Sequence, residues 1–257
     1  MVTQLFTDLS ALPQIEAIAL GGSRAGTHYD EKSDYDVYLY CTAPVSEDVR
    51  REILSKYCSY MEIGNHFWEY EDNCTLKNGI DIDILYRNLD DFTADVAGVV
   101  EQFQGRNGYT TCMWHNLRTC KIVYDAAGRL AAAKERFDVP YPPELKKDII
   151  DRNRKLLHGS MPAYDQQIQK AVNRSDLVSV NHRVSAFLES YFDLLFALNE
   201  QTHPGEKRLL SLCREMCTIL PENFEENLTA LLSHLFTEPE KTQEDLARIL
   251  DALAKIL

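Results

Sequence analysis

The sequence predicts an α+β domain, a mixed sheet flanked by helices, followed by an all-α helical bundle. Three observations carry that expectation. Up to residue 138 short β-prone runs alternate with helical patterns, whereas beyond residue 143 apolar residues recur only at three-four spacing. Between the two regions DVPYPPE, Asp138 to Glu144, holds three prolines, which fix the backbone and do not propagate a helix. The expected domains are residues 1–138 and 143–257.

Taken in order, IEAIAL, Ile15 to Leu20, ends at Gly21-Gly22 as a buried strand running into a tight turn does. A second strand is expected over Tyr35 to Cys41. SEDVRREILSKYCSY reads as a helix N-capped by Ser46, with Val49, Ile53, Leu54 and Tyr57 on its apolar face. EIGNHFWEYED, the Lys77-Asn78-Gly79 turn and IDIDILY form a hairpin, since Asn-Gly between β-prone runs favours a tight reversal; Ile80 to Tyr86 is the third strand. Helices are expected over Asn88 to Glu101, Thr110 to Leu117 and Asp125 to Phe137, with a short strand at Lys121 to Tyr124. LKKDIIDRNRKLL, SDLVSVNHRVSAFLESYFDLLFALN, GEKRLLSLCREMCTIL, ENFEENLTALLSHLF and TQEDLARILDALAKIL supply the bundle.

Of the 257 residues 45% are hydrophobic and 26% charged, enough to bury a core in each of two domains. A formal charge of −13 disfavours nucleic acid, which needs cations to displace its counterions, and suits a cationic small substrate. Residues 1–130 hold 11 Lys+Arg against 20 Asp+Glu and residues 131–257 hold 16 against 20, so the acidity concentrates in the first domain. Seven cysteines without framework spacing, and no readable leader or membrane-spanning run, lead to the expectation of a cytoplasmic protein with reduced thiols.

The chemistry concentrates in GGSRAGTHYDEKSDYDVYLY, Gly21 to Tyr40. Asp34 and Asp36 lie two apart at the start of a strand, so both carboxylates project from one face. Such a pair repels itself unless a proton or a divalent cation such as Mg²⁺ neutralises it. Upstream, Gly21-Gly22-Ser23 allows close backbone approach, and N–H groups with a hydroxyl make a cradle for phosphate oxygens. The turn has neither the lysine of a P-loop nor the GxGxxG of a dinucleotide site. A further acid follows at Asp83, with Asp81 sharing its face as the alternative.

Gly21-Gly22-Ser23, ten residues, the Asp34/Asp36 pair in SDYD and Asp83 in IDILY together resemble the signature of the DNA polymerase beta-type nucleotidyltransferase superfamily. The layout is similar to the antibiotic nucleotidyltransferases, which join such a domain to a C-terminal helical, substrate-binding domain. The motifs span Gly21 to Tyr86, and ALNEQTHPGEKRLL resembles a helical-domain stretch of further members. The resemblance implies Gly22 and Ser23 at the β- and γ-phosphates of a nucleoside triphosphate, Asp34 and Asp36 on Mg²⁺, and Asp83 on the catalytic metal near the attacking hydroxyl, with two ions in all. It implies transfer of a nucleoside monophosphate, expected to be AMP from ATP, to a hydroxyl of a small molecule. An aminoglycoside-like acceptor fits the acidic chain and would make antibiotic resistance its role. Nucleotidylation of a protein or RNA, or nucleotide sensing without catalysis, are the alternatives on the same scaffold.

A hydroxyl nucleophile must lose a proton, and the candidates for the base are Asp83 itself, Glu69 and Glu189. Arg24, within the glycine turn, and Lys207, at a helix start where a cation does not suit the macrodipole, are candidates for the triphosphate; for each the alternative is a solvated basic surface. Cys112, His115 and Cys120 do not have zinc-site spacing, and Cys213 with Cys217, one helical turn apart, reads as core.

Overall fold

The computed structural model describes residues 1–25, 33–67, 69–159 and 161–257, the Ser23 side chain excepted. By its contacts the chain divides into two units, Met1–Gly98 with Asn116–Val139, and Val99–His115 with Pro140–Leu257.

The first unit contains α1 (Val2–Ser10), β1 (Ile15–Leu20), the one-turn helix α2 (Gly22–Ala25), β2 (Tyr35–Cys41), α3 (Glu47–Ser55), β3 (Cys58–Asn65), β4 (Glu71–Leu76) and β5 (Asp81–Arg87). The unit divide falls within α4 (Leu89–Val100) and α5 (Cys112–Thr119), and β6 (Lys121–Asp125) with α6 (Arg129–Arg136) completes the first unit. The strands form one mixed sheet ordered β3-β4-β5-β2-β1-β6. Only β2 and β5 pair in parallel among the described residues; every other neighbouring pair is antiparallel. The expected mixed α+β layer is therefore present.

Alternation along β2 divides its side chains between two environments. Val37, Leu39 and Cys41 join Leu5, Phe6 and Leu9 of α1 and Ile53 and Leu54 of α3 in a buried apolar cluster that also takes in Ile82 and Ile84 of β5. Asp36, Tyr38 and Tyr40 project from the opposite face, where Tyr40 meets Phe92 of α4 edge-on at 5.6 Å between ring centroids.

The helix after Ser46 is shorter than its sequence pattern predicts. Ser46 is the N-cap, but its side chain makes no capping hydrogen bond, the helix ends at Ser55, and Cys58–Asn65 is a strand. Its physical cause lies in Gly64 (φ +79°), at a register shift between Ile63 and Asn65, and in the pairing of this edge segment with β4, which outweighs weak local helix preference. The Lys77-to-Ile80 reversal does join two antiparallel strands, with Gly79 at φ +83°.

The second unit is helical: α7 (Pro143–Leu157), α8 (Tyr164–Asn173), α9 (Leu177–Leu198), α10 (Leu209–Met216), α11 (Phe224–His234) and α12 (Thr242–Ala254). The long α9, capped by the Asp176 carboxylate accepting from Ser179 N at 3.1 Å, contributes Phe187, Tyr191, Leu194, Leu195 and Phe196 to one core. Cys213 and Cys217 are buried in it. α8 was not anticipated, because its polar sequence YDQQIQKAVN buries only Ile168 and Ala171.

The buried titratable groups among the described residues of this unit include Asp193 and His203. Asp193 accepts from Thr110 N at 2.9 Å, Thr110 Oγ1 at 2.7 Å and Asn153 Nδ2 at 3.1 Å. Burial nevertheless pushes its carboxyl up to about 6, against the pull of those bonds. His203 is wholly buried, packed edge-on against Tyr109 and Phe196; burial, with His115 nearby, pushes its imidazole down to about 3.

Candidate active site

Asp36 on β2 and Asp83 on β5 are register partners in the parallel pair, so both carboxylates leave the same face of the sheet side by side. Both are half-buried. Asp34, exposed, directly precedes β2 and is two residues from Asp36. Asp81 is exposed and accepts from Thr75 Oγ1 at 2.8 Å. The acid level with Asp36 is thus Asp83.

The glycine turn lies against this pair. Gly21 N donates to Asp36 O at 2.8 Å. A Cβ on Gly21 would lie 2.3 Å from Tyr38 Cε2, and one on Gly22 would lie 1.8 Å from Asp36 Oδ2, with Gly22 also at φ +55°. Only glycine lets the backbone of the turn close onto β2 without displacing the Asp36 carboxylate. Arg24 fastens the far side: its Nε donates to Ser33 O at 2.7 Å and Asp34 O at 3.1 Å, and its guanidinium covers the Tyr35 ring at 3.7 Å. The Ser23 side chain lies outside the described residues.

Asp83 has a fixed orientation. Asn73 Nδ2 on β4 donates to Asp83 Oδ1 at 2.8 Å, and the two residues are register partners. Among the described residues no group of three or more His, Cys, Asp or Glu is arranged to hold a metal ion. The donors at Asp36 and Asp83 are nonetheless adjacent hard carboxylate oxygens, the ligand type that Mg²⁺ takes, and Asp34 lies two residues before Asp36.

Other expected site residues are placed elsewhere. Glu69 precedes β4, and its carboxylate is held by Arg87 through Nε–Oε2 at 2.7 Å and Nη2–Oε1 at 2.5 Å. Arg87 also donates to Asn116 Oδ1 at 3.0 Å and lies over the Tyr38 ring at 4.1 Å and the Phe92 ring at 4.9 Å. The structure therefore gives Glu69 an ion-pair partner in the wall behind Tyr38. Glu189 belongs to α9 in the second unit, half-buried, and burial raises its pKa. Lys207 is exposed in the turn before α10, also in the second unit.

Residues 110–209 match a family model described as "Domain of unknown function (DUF4037)". That stretch includes Glu189 and Lys207 and none of Asp34, Asp36 and Asp83. No curated protein matches the chain. Among solved structures, it is similar to a nucleotidyltransferase-like protein from Exiguobacterium sibiricum 255-15 (12% identity, covering 100% of this chain and 74% of that one, TM-score 0.43). It is also similar to an aminoglycoside 6-adenyltransferase from Bacillus subtilis (11% identity, 99% and 90% covered, TM-score 0.29). A third is a Thermotoga maritima CCA-adding enzyme complexed with tRNA (11% identity, 99% and 80% covered, TM-score 0.26). No helix among the described residues is long and apolar enough to cross a membrane.

Sequence reasoning missed Asn73 and Arg87. Asn73 carries no motif, and only its register opposite Asp83 gives it a place in the site. Arg87 directly follows the IDILY run, but its partner Glu69 is eighteen residues away, a pairing that only strand order brings about.

Proposed function

We propose that the chain is a nucleotidyltransferase that moves a nucleoside monophosphate, AMP from ATP, onto a hydroxyl of a small molecule. The observation that carries this reading is the register pairing of Asp36 with Asp83 beside a glycine turn that closes onto Asp36. Asp34, Asp36 and Asp83 are the residues that would hold Mg²⁺, one ion or two. When bound, such ions offset the charge of the triphosphate and of the departing pyrophosphate.

On this reading the chain's own groups are assigned the following roles. Backbone N–H groups of the turn beyond Gly21, and the Ser23 hydroxyl, would bind a phosphate. The acceptor oxygen bonds to the α-phosphorus as the bond from that phosphorus to the bridging oxygen of pyrophosphate breaks. The hydroxyl proton passes to a carboxylate, and Asp83 is assigned that part because Asn73 occupies only one of its oxygens. Arg24 is assigned to holding Ser33 and Asp34 in place. The net charge of −13 favours a cationic acceptor of the aminoglycoside kind over RNA.

The test is incubation of the protein with Mg²⁺, α-labelled ATP and a panel of aminoglycosides and other hydroxyl acceptors, including the protein itself. Label on a small acceptor with release of pyrophosphate supports the reading. Label on the protein alone moves the acceptor class to proteins, and ATP binding without transfer leaves a nucleotide sensor.

A further inference from the structure

A line of hydrogen-bonded side chains crosses three strands and ends on the catalytic face. Asn65, at the end of β3, donates through Nδ2 to Glu62 Oε2 at 3.2 Å and to Asn73 Oδ1 at 2.8 Å. Asn73 then donates through Nδ2 to Asp83 Oδ1 at 2.8 Å. Glu62 is held in turn by Tyr60, whose hydroxyl donates to Oε1 at 2.6 Å. Register explains the alignment, since Glu62 pairs with Asn73 across β3 and β4, and Asn73 pairs with Asp83 across β4 and β5.

The line has a direction that its ends impose. An ionised carboxylate only accepts, and an amide offers two N–H donors at one end and an oxygen at the other. Glu62 requires the NH₂ end of Asn65, whose second N–H then fixes the Asn73 oxygen. That leaves the Asn73 NH₂ facing Asp83, where only a donor is tolerated by an ionised carboxylate.

We infer that Asn73 is the positioning residue of Asp83, and that Asn65 and Glu62 set the direction in which Asn73 donates. The arrangement occupies Oδ1 and presents Oδ2 as the oxygen available to a cation or a proton. It rests on the proposed metal-dependent transfer in what it positions Asp83 for, and on the observed bonds alone for how. Partners of this kind, bonded to a ligand rather than to the metal, typically change metal affinity about 10- to 100-fold when removed.

The decisive comparison is between Asn65→Asp and Asn65→Ala. An aspartate at 65 is a second acceptor that competes with Asp83 for the Asn73 NH₂, whereas alanine removes an orienting bond without adding a competitor. Mn²⁺ affinity is read by electron paramagnetic resonance on the nucleotide-free protein, with thermal unfolding to show that each variant folds. The expected result is about tenfold weaker Mn²⁺ binding in Asn65→Asp and Asn73→Leu, and about two- to threefold in Asn65→Ala. In transfer assays the same order appears in kcat, with KM for ATP little changed. Equal Mn²⁺ affinity in Asn65→Asp and Asn65→Ala, or wild-type affinity in Asn73→Leu, overturns the inference while leaving nucleotidyl transfer standing. The expected order in a protein that transfers no nucleotide upholds the positioning and removes the proposed reaction. A wild-type protein that binds no Mn²⁺ overturns both.

Discussion

Asp36 and Asp83 stand side by side on the parallel strands β2 and β5, although 47 positions separate them in the chain. Two like charges held at adjacent strand positions destabilise the fold unless something neutralises them. We predict that Mn²⁺ or Mg²⁺ raises the unfolding temperature of the wild-type protein, and that Asp36→Asn and Asp83→Asn remove this rise while raising the metal-free midpoint by a degree or more, roughly a few tenths of a kcal/mol. Differential scanning calorimetry with and without metal checks it. An equal metal response in Asp83→Asn would rule out that residue as a ligand.

Asp81 and Asp83 share a face, yet only Asp83 is level with Asp36, and Asp81 is bonded to Thr75. Transfer activity is therefore expected to fall by about 100-fold or more in Asp83→Asn and by less than about threefold in Asp81→Asn. Steady-state kinetics on both variants decides between them, and the reverse order would move the site one pair along the strand.

How much of this was legible in the sequence depends on range. The glycine turn, β1, β2 and the Asn78-Gly79 reversal follow from local periodicity and turn chemistry, and they fall where they were expected. Cys58 to Tyr60, the start of β3, follows the helix pattern before it because the pairing with β4 is a tertiary choice that no window of residues contains, whereas Glu62 to Asn65 lies in the run expected to enter the hairpin. Asn73 and the Glu69–Arg87 pair were invisible for the same reason, since each acquires its role from a neighbour on another strand.

Gly22 sits at φ +55°, where a Cβ would meet the Asp36 carboxylate. Gly22→Ala is predicted to cost about 1–2 kcal/mol of stability and to reduce transfer further than Ala substitutions on the surface of α3 do. Urea unfolding alongside transfer assays reads both. Unchanged activity would mean that the turn does not need to close onto Asp36.

Glu69 holds the buried Arg87, which is 9% exposed. Loss of one partner leaves a buried charge uncompensated, so Glu69→Gln is predicted to lower stability by about 2–4 kcal/mol while kcat stays within about threefold. A large drop in kcat with unchanged stability would instead assign Glu69 to proton transfer.

Asp193 and His203 oppose one another as pH changes. The folded Asp193 is raised from 3.8 to about 6, so between those values the folded state holds a proton that the unfolded state has lost, and stability falls as pH rises. The folded His203 is lowered from 6.5 to about 3, so between those values the unfolded state holds the extra proton, and stability rises with pH. From about pH 4 to pH 6 the two slopes, each up to roughly 1.4 kcal/mol per unit, offset one another. Asp193→Asn should show stability rising with pH in this window, and His203→Gln should show it falling. Equal slopes in the two variants, measured by urea unfolding, would contradict the burial-driven shifts.

The central claim is that the paired aspartates support nucleotidyl transfer. Its most direct measurement is pyrophosphate release coupled to movement of α-label from ATP onto an acceptor hydroxyl, compared between wild type and Asp83→Asn. The predicted result is one pyrophosphate for each labelled acceptor in the wild type, with both signals lost in the variant. Label transfer that survives Asp83→Asn, or a wild-type protein that labels no acceptor in the presence of Mg²⁺, would contradict it.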